Sequence, residues 1–158
     1  MTEPKNILTF FKDVCTAAIP PIVVIILQYI RMHTLPMRSE FDMLAHVMGG
    51  VAIGWMSMIL LERWRRRGWA ALRPFIFRDY IVFSTVSLVG VVWEFWEFIM
   101  QAVTGDIYQP SIADTMNDLL MDLIGALILI AIYRIIRHIQ QTKKGTITPK
   151  DLNEKRSS

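Results

Sequence analysis

Residues 111–137 read SIADTMNDLLMDLIGALILIAIYRIIR. From Leu119 onward the run is almost wholly apolar, and about 20 such residues make a membrane-spanning helix. Three aspartates nevertheless enter it at steps of four: Asp114, Asp118 and Asp122. That spacing stacks side chains on one helical face. A carboxylate in a span is expensive and normally turns toward the bundle interior or a water-filled cavity. The stretch thus sets both the class of the protein, a helical membrane protein, and the place to look for its site.

The remainder of the chain agrees. It has 158 residues, 53% hydrophobic and 20% charged, against about 25% charged in soluble domains, and its mean hydropathy is +0.38. Apolar windows occur at about 15–31, 42–62, 80–103 and 118–137. The expected fold is all-α, a four-span transmembrane helical bundle. Residues 1–14 form a short N-terminal interfacial segment, 15–138 the transmembrane domain, and 139–158 a polar, basic tail. Pro20 and Pro21 should kink the end of the first span. No A-x-A-like cleavage site follows that span, so it reads as retained. The single cysteine, Cys15, excludes an internal disulfide or a cysteine metal cluster and is expected to be a packing residue. The ten methionines likewise read as packing.

Loop charges predict the orientation. Residues 63–79 carry Arg63, Arg65, Arg66, Arg67, Arg73 and Arg78, and the C-terminal region adds Arg134, Arg137, Lys143, Lys144, Lys150, Lys155 and Arg156. On the opposite side only Arg31 and Arg38 occur, and the loop TGDIYQPSIADTMN has no Lys or Arg. The positive-inside rule then puts both termini in the cytoplasm. The arginine run is a topology signal, not a nucleic-acid site.

Intramembrane polar residues recur on each later span. Asp42 and His46 are one turn apart, and their stripe continues to Gly50 and Gly54, a small-residue face suited to close packing. Ser87, Gly90, Glu94, Glu97 and Gln101 share a face of the third span. With a rise of 1.5 Å per residue, His46 and Asp122 each lie roughly 6 Å below the start of their spans, and Glu94 and Glu97 roughly 14 and 9 Å before the end of theirs. The acids therefore converge at one depth near the outer surface. Six carboxylates face one histidine, with Arg38, His33 and Arg31 able to dip in from the loop. Like charges this close cannot all stay ionised without compensation, so shared protons or a cation must hold them.

The candidate ligand set is Asp42, His46, Glu94, Glu97, Asp114, Asp118 and Asp122. Structural roles compete at several positions. Asp114 in Ser111-Ile-Ala-Asp114 fits a capping box, Asp118 a first-turn acid and Asp42 an N-cap. Glu94 and Glu97 in WEFWEF could belong to an interfacial aromatic belt. Many oxygens with one imidazole suit Mg, Mn, Ca, Fe or Zn rather than copper. Di-iron bundles use Glu-x-x-His pairs, whereas this chain has Glu94-x-x-Glu97 and Asp42-x-x-x-His46. No serine elbow, phosphate loop or H-E-x-x-H motif occurs, so no catalytic residue is assigned.

The set FDMLAHVMGG, WEFWEF and ADTMNDLLMDLIGA resembles the bacterial inner-membrane family typified by YjdF. The matching positions are Asp42, His46 and Gly50; Glu94 and Glu97; and Asp114, Thr115, Asp118, Asp122, Gly125 and Ala126. A weaker likeness is to VanZ-like proteins. The resemblance implies a multi-pass protein of the bacterial inner membrane and supplies no reaction. Three functions stay open. One is a metal-binding protein hydrolysing a lipid or lipid-linked phosphate at the outer leaflet. Another is a proton- or cation-coupled transporter or channel subunit, for which a homo-oligomer would have to complete the path. The third is a structural protein with a buried polar network. Besides a second copy, the one partner implied is the lipid bilayer.

Overall fold

The computed structural model describes residues 6–34, 39–69 and 75–145, helical apart from short turns, Asn6 and the loop at 105–111. Five helices follow one another: α1 (Ile7–Ala17), α2 (Ile19–Thr34), α3 (Ser39–Arg66), α4 (Phe75–Thr104) and α5 (Ile112–Gly145). Three stretches are long and apolar enough to cross a membrane: Phe41–Arg66, Ile76–Thr104 and Ile112–Thr142. Helices satisfy their own backbone polar groups, which is what lipid demands. The outward faces carry exposed Leu88, Val92 and Phe95 on α4 and Leu127, Ile132 and Ile135 on α5, as lipid contact requires.

The first apolar window is broken. α1 extends past the 14/15 boundary expected from the sequence, and the chain bends by 42° between α1 and α2. The prolines explain why the break falls at Ala18. Pro20 and Pro21 occupy the first turn of α2, where a missing N–H costs nothing. The helical ladder resumes as the Ile22 N–H donates to the Ala18 carbonyl at 3.1 Å. The pair α1–α2 is thus a bent span or a re-entrant segment. One expectation fails here: Cys15 is exposed. Asp13 and Ala17, one turn apart, own the buried face of α1, which turns Cys15 outward.

α3 is the central element, packing against α1, α2, α4 and α5, with its largest interface to α5. That interface is a backbone contact. A Cβ on Gly50 would overlap the Asp122 carbonyl oxygen, and one on Gly125 would overlap the Val47 carbonyl and lie 3.1 Å from Gly50 Cα. Further along, Met58, Val82 and Leu129 form an apolar core, flanked by Val51, Leu61, Ile130 and Tyr133.

Beyond this core lies the arginine-rich end, and its acids are neutralised. Asp13 pairs with Arg63 and Arg67, Glu62 with Arg65 and Arg66, and Asp79 with Arg78 and Arg134. Arg78 also lies over the Tyr133 ring at 4.0 Å, and Phe10 of α1 stacks on Trp64 of α3 at 5.3 Å. These arginines therefore hold helices together, a role beyond the topology signal expected from the sequence. Arg38, Arg73, Lys150, Lys155 and Arg156 lie outside the described residues, as do the side chains of Arg31, His33, Lys143 and Lys144.

The close α3–α5 contact can be tested by neighbouring substitutions. Gly50→Ala should destabilise the protein by about 1–3 kcal/mol, the usual cost of overpacking. Gly49→Ala should be nearly neutral, since its Cβ would meet nothing nearer than Asp122 Oδ1 at 3.7 Å. Thermal unfolding of both variants in one detergent gives the comparison.

Candidate functional site

The acidic end is assembled from α5 outward. The Asp114 N–H donates to Ser111 Oγ at 3.2 Å, so Ser111 caps α5 and Asp114 sits in the first turn. One and two turns on, Asp118 and Asp122 are both buried. The buried face then continues through Gly125, Ala126 and Leu129, so one stripe changes from acidic to small to apolar. Asp122 fits because Gly90 of α4 has no side chain: a Cβ there would come within 2.7 Å of Asp122 Oδ2.

His46 reaches this stripe from α3. Its Nδ1 lies 3.4 Å from Asp122 Oδ1 and its Nε2 lies 3.8 Å from Asp118 Oδ1. The imidazole is therefore held between two carboxylates, with one ring nitrogen toward each. Asp42, a turn earlier on α3, completes a group with His46 and Asp118 in which one ligand atom from each lies within 4.8 Å of the others. Gln28 of α2 donates to Asp42 Oδ1 at 2.9 Å.

Glu94 approaches from α4 and is only 6% exposed. Gln109 donates to its Oε2 at 2.6 Å and to its backbone carbonyl at 2.9 Å. Glu94 Oε1 is buried without a hydrogen-bond partner. The loop bearing Gln109 begins at Gly105, whose φ of 78° ends α4 in the left-handed conformation. Gln101 Oε1 fastens the same loop by accepting from the Tyr108 and Gln109 N–H groups at 3.0 and 2.9 Å. Glu97 is half-buried and accepts from Trp93 Nε1 at 3.0 Å.

The predicted residues thus divide. Asp42, His46, Asp118 and Asp122 meet directly. Glu94 adjoins them, with electrostatic interactions to His46, Asp118 and Asp122. Glu97 and Asp114 lie at the periphery, coupled to His46 through space while serving Trp93 and the first turn of α5. Ser87, on the same predicted stripe, instead donates to the Phe83 carbonyl at 2.9 Å. Sequence reasoning missed Gln28, Gln101 as a loop anchor, and Gln109. Gln28 had a signal, being the one amide in the apolar run IPPIVVIILQYI. Gln109 had none beyond its place in a loop without Lys or Arg.

The acidic end contrasts with the arginine-rich one. Among the described residues, neither Lys nor Arg pairs with Glu94, Glu97, Asp118 or Asp122; their partners are His46, Gln109, Thr115 and Trp93. Buried carboxylates in this state need protons or a cation.

Residues 14–138 match the family described as Predicted membrane protein (DUF2238), and the chain belongs to that family. The matched region takes in Asp42, His46, Glu94, Asp118 and Asp122. No curated protein shows significant similarity to the chain, and no solved structure does so either.

Gly90→Ala separates site from fold. The atom it would strike is the tip of a side chain, so the Asp122 carboxylate can swing aside at an expected stability cost of under about 1.5 kcal/mol. Its pairing with His46 should be lost. The His46 ring resonances, followed by NMR in detergent, should then shift in Gly90→Ala while the melting temperature changes little. Removing the Glu94 partner should cost more: Gln109→Ala should lower stability by about 1–3 kcal/mol, the penalty for a buried acceptor left unsatisfied, measured by thermal unfolding.

Proposed function

We propose that this protein binds a divalent cation at the Asp42–His46–Asp118 group, with Asp122 and Glu94 beside it. One observation carries the reading: three ligand atoms from two helices gather within 4.8 Å of one another. The unpartnered, buried Glu94 Oε1 supports it independently. Carboxylate oxygens with one imidazole match Mg, Mn, Ca, Fe or Zn. A set of three protein ligands also leaves positions free for a substrate. Asp122 and Gln28 orient His46 and Asp42, as outer partners of ligands commonly do.

With α1–α2 read as a fourth, bent span, and the arginine-rich end in the cytoplasm, the site opens near the outer leaflet of a bacterial inner membrane. The chemistry that fits there is hydrolysis of a lipid or lipid-linked phosphate. A bound cation would polarise the substrate or activate water. The chain's own part is to hold the ligands, exclude bulk water and accept a proton at His46 or a carboxylate. Transport is the weaker reading, because Met58, Val82 and Leu129 close the way from the site to the arginine-rich end.

Elemental analysis of protein purified in mild detergent and resupplied with Mn or Zn tests this. About one equivalent should be retained by the wild type and by Glu97→Gln. At least about a tenfold loss of affinity should follow from His46→Ala or Asp118→Asn, as for lost metal ligands or their partners. A wild type that binds no metal after resupply would overturn the reading and leave shared protons as what holds the acids.

A further inference from the structure

The acid–histidine centre has a second approach, from the side. α2 packs on α1 and α3, and α4 packs on α3 and α5, but α2 and α4 do not pack on each other. The space between them is a cleft of about 110 Å³. Val24 and Ile25 of α2 form one wall, and Val86 and Val89 of α4 the other. Its polar end is Gln28, His46 and Asp122, the residues that border the proposed cation. Ile25 is about half exposed, so the wall runs out to the surface of the bundle. At the level of the spans that surface meets hydrocarbon, not water.

We propose that this cleft admits one acyl chain of a phosphate-bearing lipid, with its headgroup drawn to the His46–Asp42 end. Three features commit the site to that occupant. The walls are uncharged and branched aliphatic, which suits a methylene chain and repels a polar solute. The room is slightly below the roughly 150 Å³ that admits a benzene ring in an apolar cavity, enough for a segment of one chain and too little for two. The headgroup end is complementary in charge: the proposed cation, held by Asp42, His46 and Asp118, faces the phosphate. This last feature rests on the cation reading above; the chain cleft does not. Lateral entry would let a lipid present its phosphate to the centre without leaving the bilayer, and would fix the substrate class as a phospholipid or a lipid-linked phosphate.

The test uses the full chain in phosphatidylcholine nanodiscs. They are doped with a phosphatidate carrying a photoactivatable diazirine in one acyl chain or, separately, with the matching diacylglycerol. Adducts are mapped by mass spectrometry, and bound Mn is measured in the same samples. The phosphatidate should label Val24, Val86 and Val89 in preference to exposed Leu88 and Phe95. That labelling should fall about tenfold, the equivalent of about 1.4 kcal/mol, in Val24→Trp and in Val89→Trp, each of which fills the cleft. Leu88→Trp, on the outer face of the same helix, should leave it unchanged. Retained Mn in the filled variants shows that the centre is intact and the cleft alone is blocked. Labelling spread evenly over the outer faces, and indifferent to both filling variants, overturns the proposal. Equal labelling of the cleft by both lipids in a protein that binds no Mn overturns the cation and headgroup reading and keeps the chain site.

Discussion

The backbone contact between α3 and α5 is the constraint from which the rest follows. Gly50 and Gly125 bring two helices together until main-chain atoms touch. In lipid there is no hydrophobic force to press helices together, so close packing of small residues must do it. A side chain on either glycine would hold the helices apart. His46, one turn before Gly50, would then no longer reach between Asp118 and Asp122. Packing in the middle of the bundle therefore sets the geometry at its acidic end, and Gly90 of α4 extends the same logic by making room for the Asp122 carboxylate.

The two ends of the bundle solve the problem of buried charge differently. At one end Asp13, Glu62 and Asp79 each receive two guanidinium groups. These pairs tie α1 to α3 and α5 to α4, where a neutral contact would be no more costly. At the other end Glu94, Glu97, Asp118 and Asp122 are given one imidazole, an amide, a hydroxyl and an indole. A protein able to pair acids with arginine at one end leaves Glu94, Glu97, Asp118 and Asp122 without a Lys or Arg partner among the described residues at the other. That asymmetry is the physical basis for reading the acidic end as a site and the arginine end as architecture. The apolar core between them keeps the two electrostatic systems apart.

The acidic end is bounded by a loop on one side and a cleft on another. The loop from Gly105 to Ser111 covers it from above and is fastened to α4 by Gln101 and Gln109. The apolar cleft between α2 and α4 leaves its flank open. α2 is tied to α3 through Gln28 and Asp42 but does not pack on α4.

Much of this was legible in the sequence because helical periodicity is a local rule. Apolar runs of the length of a bilayer define the spans, steps of three and four place Asp42 with His46 and Asp114 with Asp118 and Asp122, and the rise per residue puts the acids at a common depth. The small-residue stripes also announced close packing. What periodicity leaves open is the rotation of each helix about its axis and the partner it meets. Only the tertiary structure decided that His46 sits between Asp118 and Asp122, that Glu97 turns to Trp93 while Glu94 is buried, and that Cys15 faces outward. Gln28 and Gln109 join the site from a bent helix and a loop, where no period applies. Asp13 and Asp79 find their arginines across distances of about fifty residues in the chain, which local sequence cannot encode.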